Sequence, residues 1–379
     1  MMVRFKRFSR RQFLRQASAG LGGLALAACQ RAGIVTPVSP ARATALPTPE
    51  PGPAEHPQIS PEPAPAVRQP GPLKPYGVES AVPITPNEDF YSVNYTGGDY
   101  PNIDAQAWRL EIAGLVERPL SLSLDDLKAM PQVIQMRTLE CISNPVGGKL
   151  ISNAVWRGVH LADVLDMAGV KGRVLELKIE GVDGYSTSIP FELGRHPDSL
   201  LAYEMNEAPL PRKNGFPVRC LFPGKYGQKQ PKWIARIELI DQPYLGHWER
   251  QGWSNDASVR INSRIDQPAS GERVAMGKPV EIGGIAFANT SGVQRLEVAA
   301  GKSGWADAEL VRGPSNTVWV VWKYAWTPDA SGPVSIQARG TDGSGTTQTR
   351  DPEQAILGGT KPDGTSNIHL ISATVVKDG

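Results

Sequence analysis

Cysteine is scarce in this chain, with three among 379 residues: Cys29, Cys141 and Cys220. An odd number spaced so widely builds no disulfide framework. The five histidines, His56, His160, His196, His247 and His369, are scattered, and no spacing among them resembles a zinc site. An excess of charge of either sign is also missing. The 40 basic and 38 acidic residues leave a formal net charge of +2, which argues against nucleic acid as the main partner. No glycine-rich loop stands between a strand and a helix, as dinucleotide binding would need. Glycine and proline, by contrast, are plentiful at 39 and 34 residues. That suits strands and turns better than a helical bundle, and the length allows two domains.

The first segment reads as an address. Ser9-Arg10-Arg11-Gln12-Phe13-Leu14-Arg15 matches the twin-arginine export signal S-R-R-x-F-L-K except at Arg15. The weakly apolar stretch from Ala17 to Ala28 is too short to span a bilayer and suits the apolar part of an export signal. It ends in Leu26-Ala27-Ala28-Cys29, similar to a lipobox, in which the cysteine is lipidated and becomes the mature N-terminus. The plainer alternative is a signal cut near Ala28, with Cys29 incidental. About a third of the residues from Pro37 to Pro75 are proline, and such a stretch behaves as a semi-extended spacer. The expectation is a signal over residues 1–29, a proline-rich linker over 30–75, and a body outside the cytoplasmic membrane, anchored through a lipid on Cys29. The twin-arginine route carries folded cargo that often holds a cofactor.

The stretch Thr138-Leu139-Glu140-Cys141-Ile142-Ser143-Asn144-Pro145-Val146-Gly147-Gly148 organises the body. Residues Val133 to Leu139 read as a strand, and the chain turns at Asn144-Pro145 and again at Gly147-Gly148. A thiol there can be aimed into a cleft, where it is a soft metal ligand, a nucleophile, or a plain buried thiol. Around it, Trp108 to Ile112 alternates as a strand does. Ser123 and Asp126 form a capping box for a short helix that Pro131 ends. Leu161, Val164, Leu165 and Ala168 fall on one helical face, with Gly169 as the stop. Leu175, Leu177 and Ile179, and then Trp233, Ala235, Ile237 and Leu239, alternate again. These elements predict a mixed α+β domain over residues 76–264.

From about Ile265 helical periodicity disappears. Short strands recur, among them Pro279 to Ile285, Val293 to Val298, Thr317 to Trp322, Val334 to Ala338 and Ile368 to Val376. The pattern predicts an immunoglobulin-like β-sandwich over residues 265–379. Its strands carry no ionisable cluster that resembles a site, so it is expected to serve assembly, as in a homodimer, and to stay clear of the chemistry.

Several ordered blocks together resemble the sulfite oxidase family of molybdenum–pterin enzymes. They are Thr85 to Tyr91, the Cys141 stretch, Asn153 to Val159, Leu201 to Asn206, Asn214 to Arg219, Pro223 to Trp233 and Gly246 to Arg250. The resemblance implies a Mo-molybdopterin cofactor, with Cys141 as a ligand of the metal beside the two dithiolene sulfurs. It implies that Asn214, Arg219, Gln230 and Lys232 hold the pterin and its phosphate. Outside that block pattern, Arg219 and Lys232 would read as solvated surface charges. Asp183 matches a further cofactor contact, and Phe90, Tyr91, Val93 and Asn94 match the loop that covers the cofactor. The C-terminal region looks like the family's dimerisation domain. With no b-type haem domain and no Cys-x-x-Cys-His motif in the chain, the electron partner is expected to be a cytochrome or a membrane haem subunit.

The chain also departs from the sulfite oxidase pattern. Val93 stands where those enzymes carry an arginine. Pro145 and Val146 replace the arginines that follow the metal cysteine. Trp253 replaces a tyrosine and matches the tryptophan of bacterial methionine-sulfoxide reductases in the family, which makes it a catalytic candidate. The expected activity is oxygen-atom transfer on a small S-oxide or N-oxide, with sulfite oxidation as the alternative. A lipid-tethered binding or adhesion protein that keeps the fold without metal is the alternative from another class. A Cys141–Cys220 disulfide, which an oxidising compartment permits, is the rival to the metal site.

Overall fold

The structure, a computed structural model, describes residues 75–351 and 359–377. The export signal, Cys29 and the linker up to residue 74 lie outside the described residues.

The first sheet runs in the order Leu120–Leu122, Leu110–Gly114, Ile234–Ile240, Glu176–Gly181, Ser186–Pro190. Leu110–Gly114 lies parallel to Ile234–Ile240, and the other pairings are antiparallel. Its inner face packs on helix Leu161–Ala168, whose four buried residues are the predicted Leu161, Val164, Leu165 and Ala168. Gly169 ends that helix at φ 68°, a conformation that suits glycine. The short helix Leu124–Ala129 carries the expected capping box: Asp126 N–H donates to Ser123 Oγ, and Ser123 N–H to the Asp126 carboxylate.

In two places alternation misreads the first sheet. The strand predicted from Trp108 begins at Leu110, because Trp108 is spent on burying its indole and donating Nε1–H to Ile234 O at 3.0 Å. The alternation through Trp233 and Ala235 breaks at a bulge between Ile234 and Arg236. Ile234, not Ala235, faces the core. A bulge shifts the side-chain phase by one residue.

The second sheet runs Val133–Glu140, Ile151–His160, Leu200–Met205, Ala208–Pro209, and Arg219–Leu221 also pairs with Leu200–Met205. It carries Cys141 at the end of its first strand and Arg219 at the start of its last.

The C-terminal region forms two further sheets. One runs Asn262–Gln267, Val280–Phe287, Val320–Trp326, Glu309–Val311; the other Arg273–Ala275, His369–Val376, Gly332–Asp342, Val293–Ala300, Ala306–Asp307. They share one core, with Ile282, Leu296, Val298, Trp322, Ile336 and Ile371 buried in it. The strand expected from Thr317 begins at Val320. The residues before it serve the neighbouring sheet instead: Thr317 O accepts from Thr138 N–H at 3.0 Å, and Trp319 N–H donates to Thr138 Oγ1 at 2.9 Å. The described chain is mostly β, with four short α-helices between Leu124 and Arg250.

Candidate functional site

Cys141 leaves the end of strand Val133–Glu140, where the ladder to its neighbour closes at the Glu140–Ile151 pair. Cys141 N–H donates to Leu150 O, and Asn144 N–H to Cys141 O, each at 2.9 Å. The loop is thus closed on itself, and the Cys141 backbone is held in place. The thiol is 9% exposed, with Sγ 3.1 Å from Ser143 Oγ. Burial pushes its pKa up, so an isolated Cys141 resists ionisation, while a bound metal cation would reverse that preference. Cys141 and Cys220 are both free thiols, which disposes of the disulfide rival.

Arg219 is 5% exposed. Its guanidinium donates to Asn214 O at 2.9 Å and Gln230 O at 3.2 Å, and its Nε is buried without a partner. Lys232 Nζ lies among Val93 O, Lys213 O and Ser92 Oγ at 3.0–3.3 Å. Burial and then Arg219 push Lys232 down to about 7, with Asp183 and Cys141 pulling the other way. Burial lowers Arg219 to about 10. Among the described residues neither cation has a carboxylate in ion-pair contact. A buried Arg219 and a part-buried Lys232 that repel each other and find only neutral oxygens suit an anion. A phosphate group fits this chemistry, and the unpartnered Asn214 Oδ1 and Arg219 Nε leave polar atoms for a further hydrogen-bonding ligand.

The remaining candidates divide. Tyr91 belongs with the site, since after burial the largest influence on its phenol is Cys141, followed by Arg219. Asp183 accepts from Tyr185 N–H at 3.1 Å, its carbonyl accepts from the Tyr95 hydroxyl, and its carboxyl feels Lys232 and His247. Val93 contributes its carbonyl to Lys232 while its side chain faces solvent. Trp253 is half-buried against the apolar cluster that contains Ile142 and Tyr226. Three candidates are committed elsewhere. Phe90 is a core residue, edge-on to Trp156 at 5.5 Å. Asn94 is turned into its own loop, donating to Thr96 Oγ1 and Asp99 O. Gln230 spends both ends of its amide on Phe222 and Lys225 backbone; it braces Arg219 through its carbonyl and leaves no side-chain group for a ligand.

Sequence reasoning left other residues without a role. Lys229 and Glu249, each about 1% exposed in the side chain, form an ion pair at 2.5 Å. Thr187 donates to Glu249, and Lys229 also donates to Ser188 O and Asn255 Oδ1. Through Asn255 the pair reaches the loop that carries Trp253, and neighbouring Gln228 Nε2 donates to Ser254 O of the same loop at 2.6 Å. Both ionic residues sit inside blocks quoted above, and only burial distinguishes them from surface charges. His247 lies against Tyr95 at 4.6 Å on the Asp183 side. The C-terminal sheets touch the segment around Cys141: Asn262 donates to Glu140, Arg264 to Gly148 O, and the His369 ring lies against Gly147. An open hollow of about 840 Å³ on those sheets contains none of the site residues. Its charges are paired with each other, as Arg295 with Asp307 and Arg339 with Glu297.

A buried thiol at a strand end lies near two cations that have no carboxylate in ion-pair contact among the described residues, an arrangement with room for an anionic, metal-bearing group. Comparison with known proteins narrows the class. Residues 97–248 match the family described as oxidoreductase molybdopterin binding domain. The uncharacterized oxidoreductase YuiH of Bacillus subtilis is 34% identical over 186 residues, covering 48% of this chain and 91% of that protein. The mitochondrial sulfite oxidase of Rattus norvegicus is 31% identical over 309 residues, covering 69% of this chain and 56% of that protein. The chain thus spans a little over half the length of the mammalian relatives it matches. The crystal structure of the sulfane dehydrogenase SoxCD from Paracoccus pantotrophus has the same fold, with a TM-score of 0.66 at 24% identity over 75% of this chain and 79% of that one. The chain belongs to the sulfite oxidase family of molybdopterin-dependent oxidoreductases.

Proposed function

We propose that the chain holds Mo-molybdopterin with Cys141 as the protein's metal ligand and catalyses oxygen-atom transfer on a small S-oxide or N-oxide. The observation that supports this is buried Arg219 beside part-buried Lys232, neither in ion-pair contact with a carboxylate among the described residues and both near the Cys141 thiol. When bound, the cofactor supplies two-electron oxygen-atom exchange at a metal held by soft sulfur. The chain's own groups do the rest. Cys141 offers a thiolate from a closed loop. Arg219 and Lys232 neutralise the phosphate, Asn214 and Asp183 offer hydrogen bonds to the pterin, and the Tyr91–Asn94 loop covers it. Trp253 walls the substrate side.

Electrons are exchanged with an external haem protein, a cytochrome or a membrane haem subunit. The protein works outside the cytoplasmic membrane after twin-arginine export, anchored through Cys29. Changing Arg10 and Arg11 together to Lys should retain it in the cytoplasm, and Cys29→Ala should release it or block its processing. The C-terminal sheets are read as immunoglobulin-like. Their first, third, seventh and sixth strands form one sheet, and the second, ninth, eighth, fourth and fifth form the other, the crossed connectivity of such sandwiches. They are also proposed to build a homodimer, which light scattering at micromolar concentration tests.

The decisive experiment is metal analysis and absorption spectroscopy on protein made in a molybdate-replete host. One molybdenum per chain and a thiolate-to-metal band, both altered in Cys141→Ser, are expected. A metal-free protein, or a Cys141→Ser variant with the parent's spectrum, would sink the reading. Sulfite oxidation is the second reading, favoured by relatives that carry that name.

A further inference from the structure

The Cys141 loop is fastened from outside its own sheet. Glu140, 3% exposed, accepts from Asn144 Nδ2 on one carboxylate oxygen and from Asn262 Nδ2 on the other, each at 2.8 Å. Asn144 is inside the loop and Asn262 opens the first C-terminal strand. Asn144 in turn accepts Leu150 N–H on its Oδ1 at 2.9 Å, so its amide cannot be reversed without losing that bond. Glu140 therefore bridges the two flanks of the loop and the C-terminal sheet. A second fastening lies two residues along the same strand, where Arg264 donates to Gly148 O at 3.0 Å. A third is steric. Gly147, at φ 70°, lies against the His369 ring so closely that a Cβ there would come within 2.2 Å of Nε2. A fourth holds the preceding strand, through Thr138 and the Thr317–Trp319 segment.

A merely packed interface would be satisfied by apolar contact. Here the polar bonds fall on Thr138, Glu140 and Gly148, on both sides of Cys141. Loss of the bonds to Glu140 leaves a buried carboxyl oxygen unmatched. A thiolate ligand controls its metal through direction as well as charge, and groups that orient a ligand tune the centre it binds.

We propose that Asn262 and Arg264, acting through Glu140 and Gly148, are positioning residues for Cys141, so that the C-terminal sheets set the direction in which the thiol is presented. This rests on the reading of Cys141 as the metal ligand. It makes the C-terminal domain part of the redox site's geometry in addition to any role in assembly.

Two readouts test it, one of them without cofactor. In protein produced without pterin synthesis, Cys141 alkylation by iodoacetamide should be about tenfold faster in Asn262→Ala than in the parent, the factor expected when a buried hydrogen bond no longer restrains opening. Cys220, fully buried, is the internal reference. Arg264→Ala, whose side chain is partly exposed and shares its charge with Asp266, should do the same and covers the case in which Asn262→Ala does not fold. Lys323→Ala, on the same pair of sheets and paired only with exposed Glu281, should leave the rate unchanged. In loaded protein the thiolate-to-metal band and the Mo(V) resonance should shift in Asn262→Ala and Arg264→Ala while molybdenum content stays at the parent level. Unchanged alkylation and unchanged spectra in both variants would overturn the proposal. A loaded parent with no thiolate-to-metal band would instead overturn the site reading beneath it.

Discussion

Arg219 and Lys232 flank the same glycine: a Cβ on Gly215 would meet the Cβ of each at 3.1 Å. Gly215 is at φ 116°, so the close approach of the two cationic side chains depends on a residue with no side chain of its own. The sequence places them thirteen positions apart, and the fold makes them neighbours around one small gap. Arg219→Gln removes the fork-shaped donor and leaves Lys232 alone with the phosphate. Losing one partner of a buried charge cluster costs about 3–5 kcal/mol. The variant should fold but purify with little molybdenum, measured by elemental analysis. Parent-level occupancy would refute the phosphate assignment.

Lys232 also predicts a pH dependence. In the cofactor-free protein its pKa falls from 10.5 to about 7, through burial first and Arg219 second. Below that value the lysine is charged in both the folded and unfolded chains, and the penalty of burying it is fully present. Between it and the ordinary lysine range, the unfolded chain binds more protons than the folded one, so stability rises with pH. Urea midpoints of cofactor-free protein should therefore climb between pH 7 and pH 9 more steeply than those of Lys232→Met. Bound phosphate raises the lysine's pKa again, so the loaded protein should show a flatter slope. Parallel slopes for parent and variant would count against a buried, depressed Lys232.

How much of this could be read from the sequence depends on range. The capping box at Ser123 and Asp126, the helix Leu161–Ala168 and the strand leading to Cys141 are local, and each carries its own signal within a few residues. The bulge at Ile234 to Arg236 could not be read, because it arises from pairing with a strand more than fifty residues earlier. In the site, Cys141, Arg219, Lys232 and Asp183 were recovered by resemblance and are brought together here. Gln230 was assigned to the ligand by its place in a block, yet its amide is consumed by the backbone of its own turn. Asn262, Arg264 and His369 could not be found from any motif. Their connection to Cys141 spans more than a hundred residues and depends on how two sheets meet.

The Lys229–Glu249 pair offers a test of stability rather than chemistry. Both side chains are buried, and burial lowers the Lys229 pKa while Glu249 opposes the shift. Lys229→Met takes the cation away from a buried carboxyl group, at a cost of about 3–5 kcal/mol. Thermal unfolding should fall by roughly 10 °C for a chain of this size. Changing both, to Met and Gln, should recover part of the loss, because no lone charge remains. A double variant as unstable as the sum of the two singles would show that the pair is not coupled. The anchored loop gives a second readout: Trp253 fluorescence should change in Lys229→Met even under conditions where the protein is fully folded.

The substrate prediction follows from where the arginines are. Sulfite is a dianion near neutral pH, and an anion entering a dry pocket needs cationic donors to replace its water. The Cys141 to Val146 run supplies none. Val93 shows solvent a side chain that is 38% exposed and apolar. Two arginines that could substitute are occupied elsewhere. Arg157 pairs with Glu204 at 3.2 Å and stacks on Tyr76 at 4.1 Å. Arg250 is exposed and donates to Leu245 O at 2.5 Å. Arg219 and Lys232 are assigned to the phosphate in the proposed function, and Arg137, buried four residues before Cys141, donates from Nη2 to Gln135 and Asp198 O. Trp253 instead offers an aromatic wall next to the cluster that holds Ile142, suited to a neutral organic oxide whose oxygen can accept from an indole N–H. With a reduced viologen as donor, turnover on S-oxides or N-oxides should exceed sulfite oxidation with ferricyanide by at least about tenfold in kcat/KM, the discrimination one unmet charge can impose. Val93→Arg should raise the sulfite value and lower the S-oxide value. Efficient, saturable sulfite oxidation by the parent, with no reduction of any S-oxide or N-oxide, would reverse the assignment and make the distant arginines the residues to re-examine.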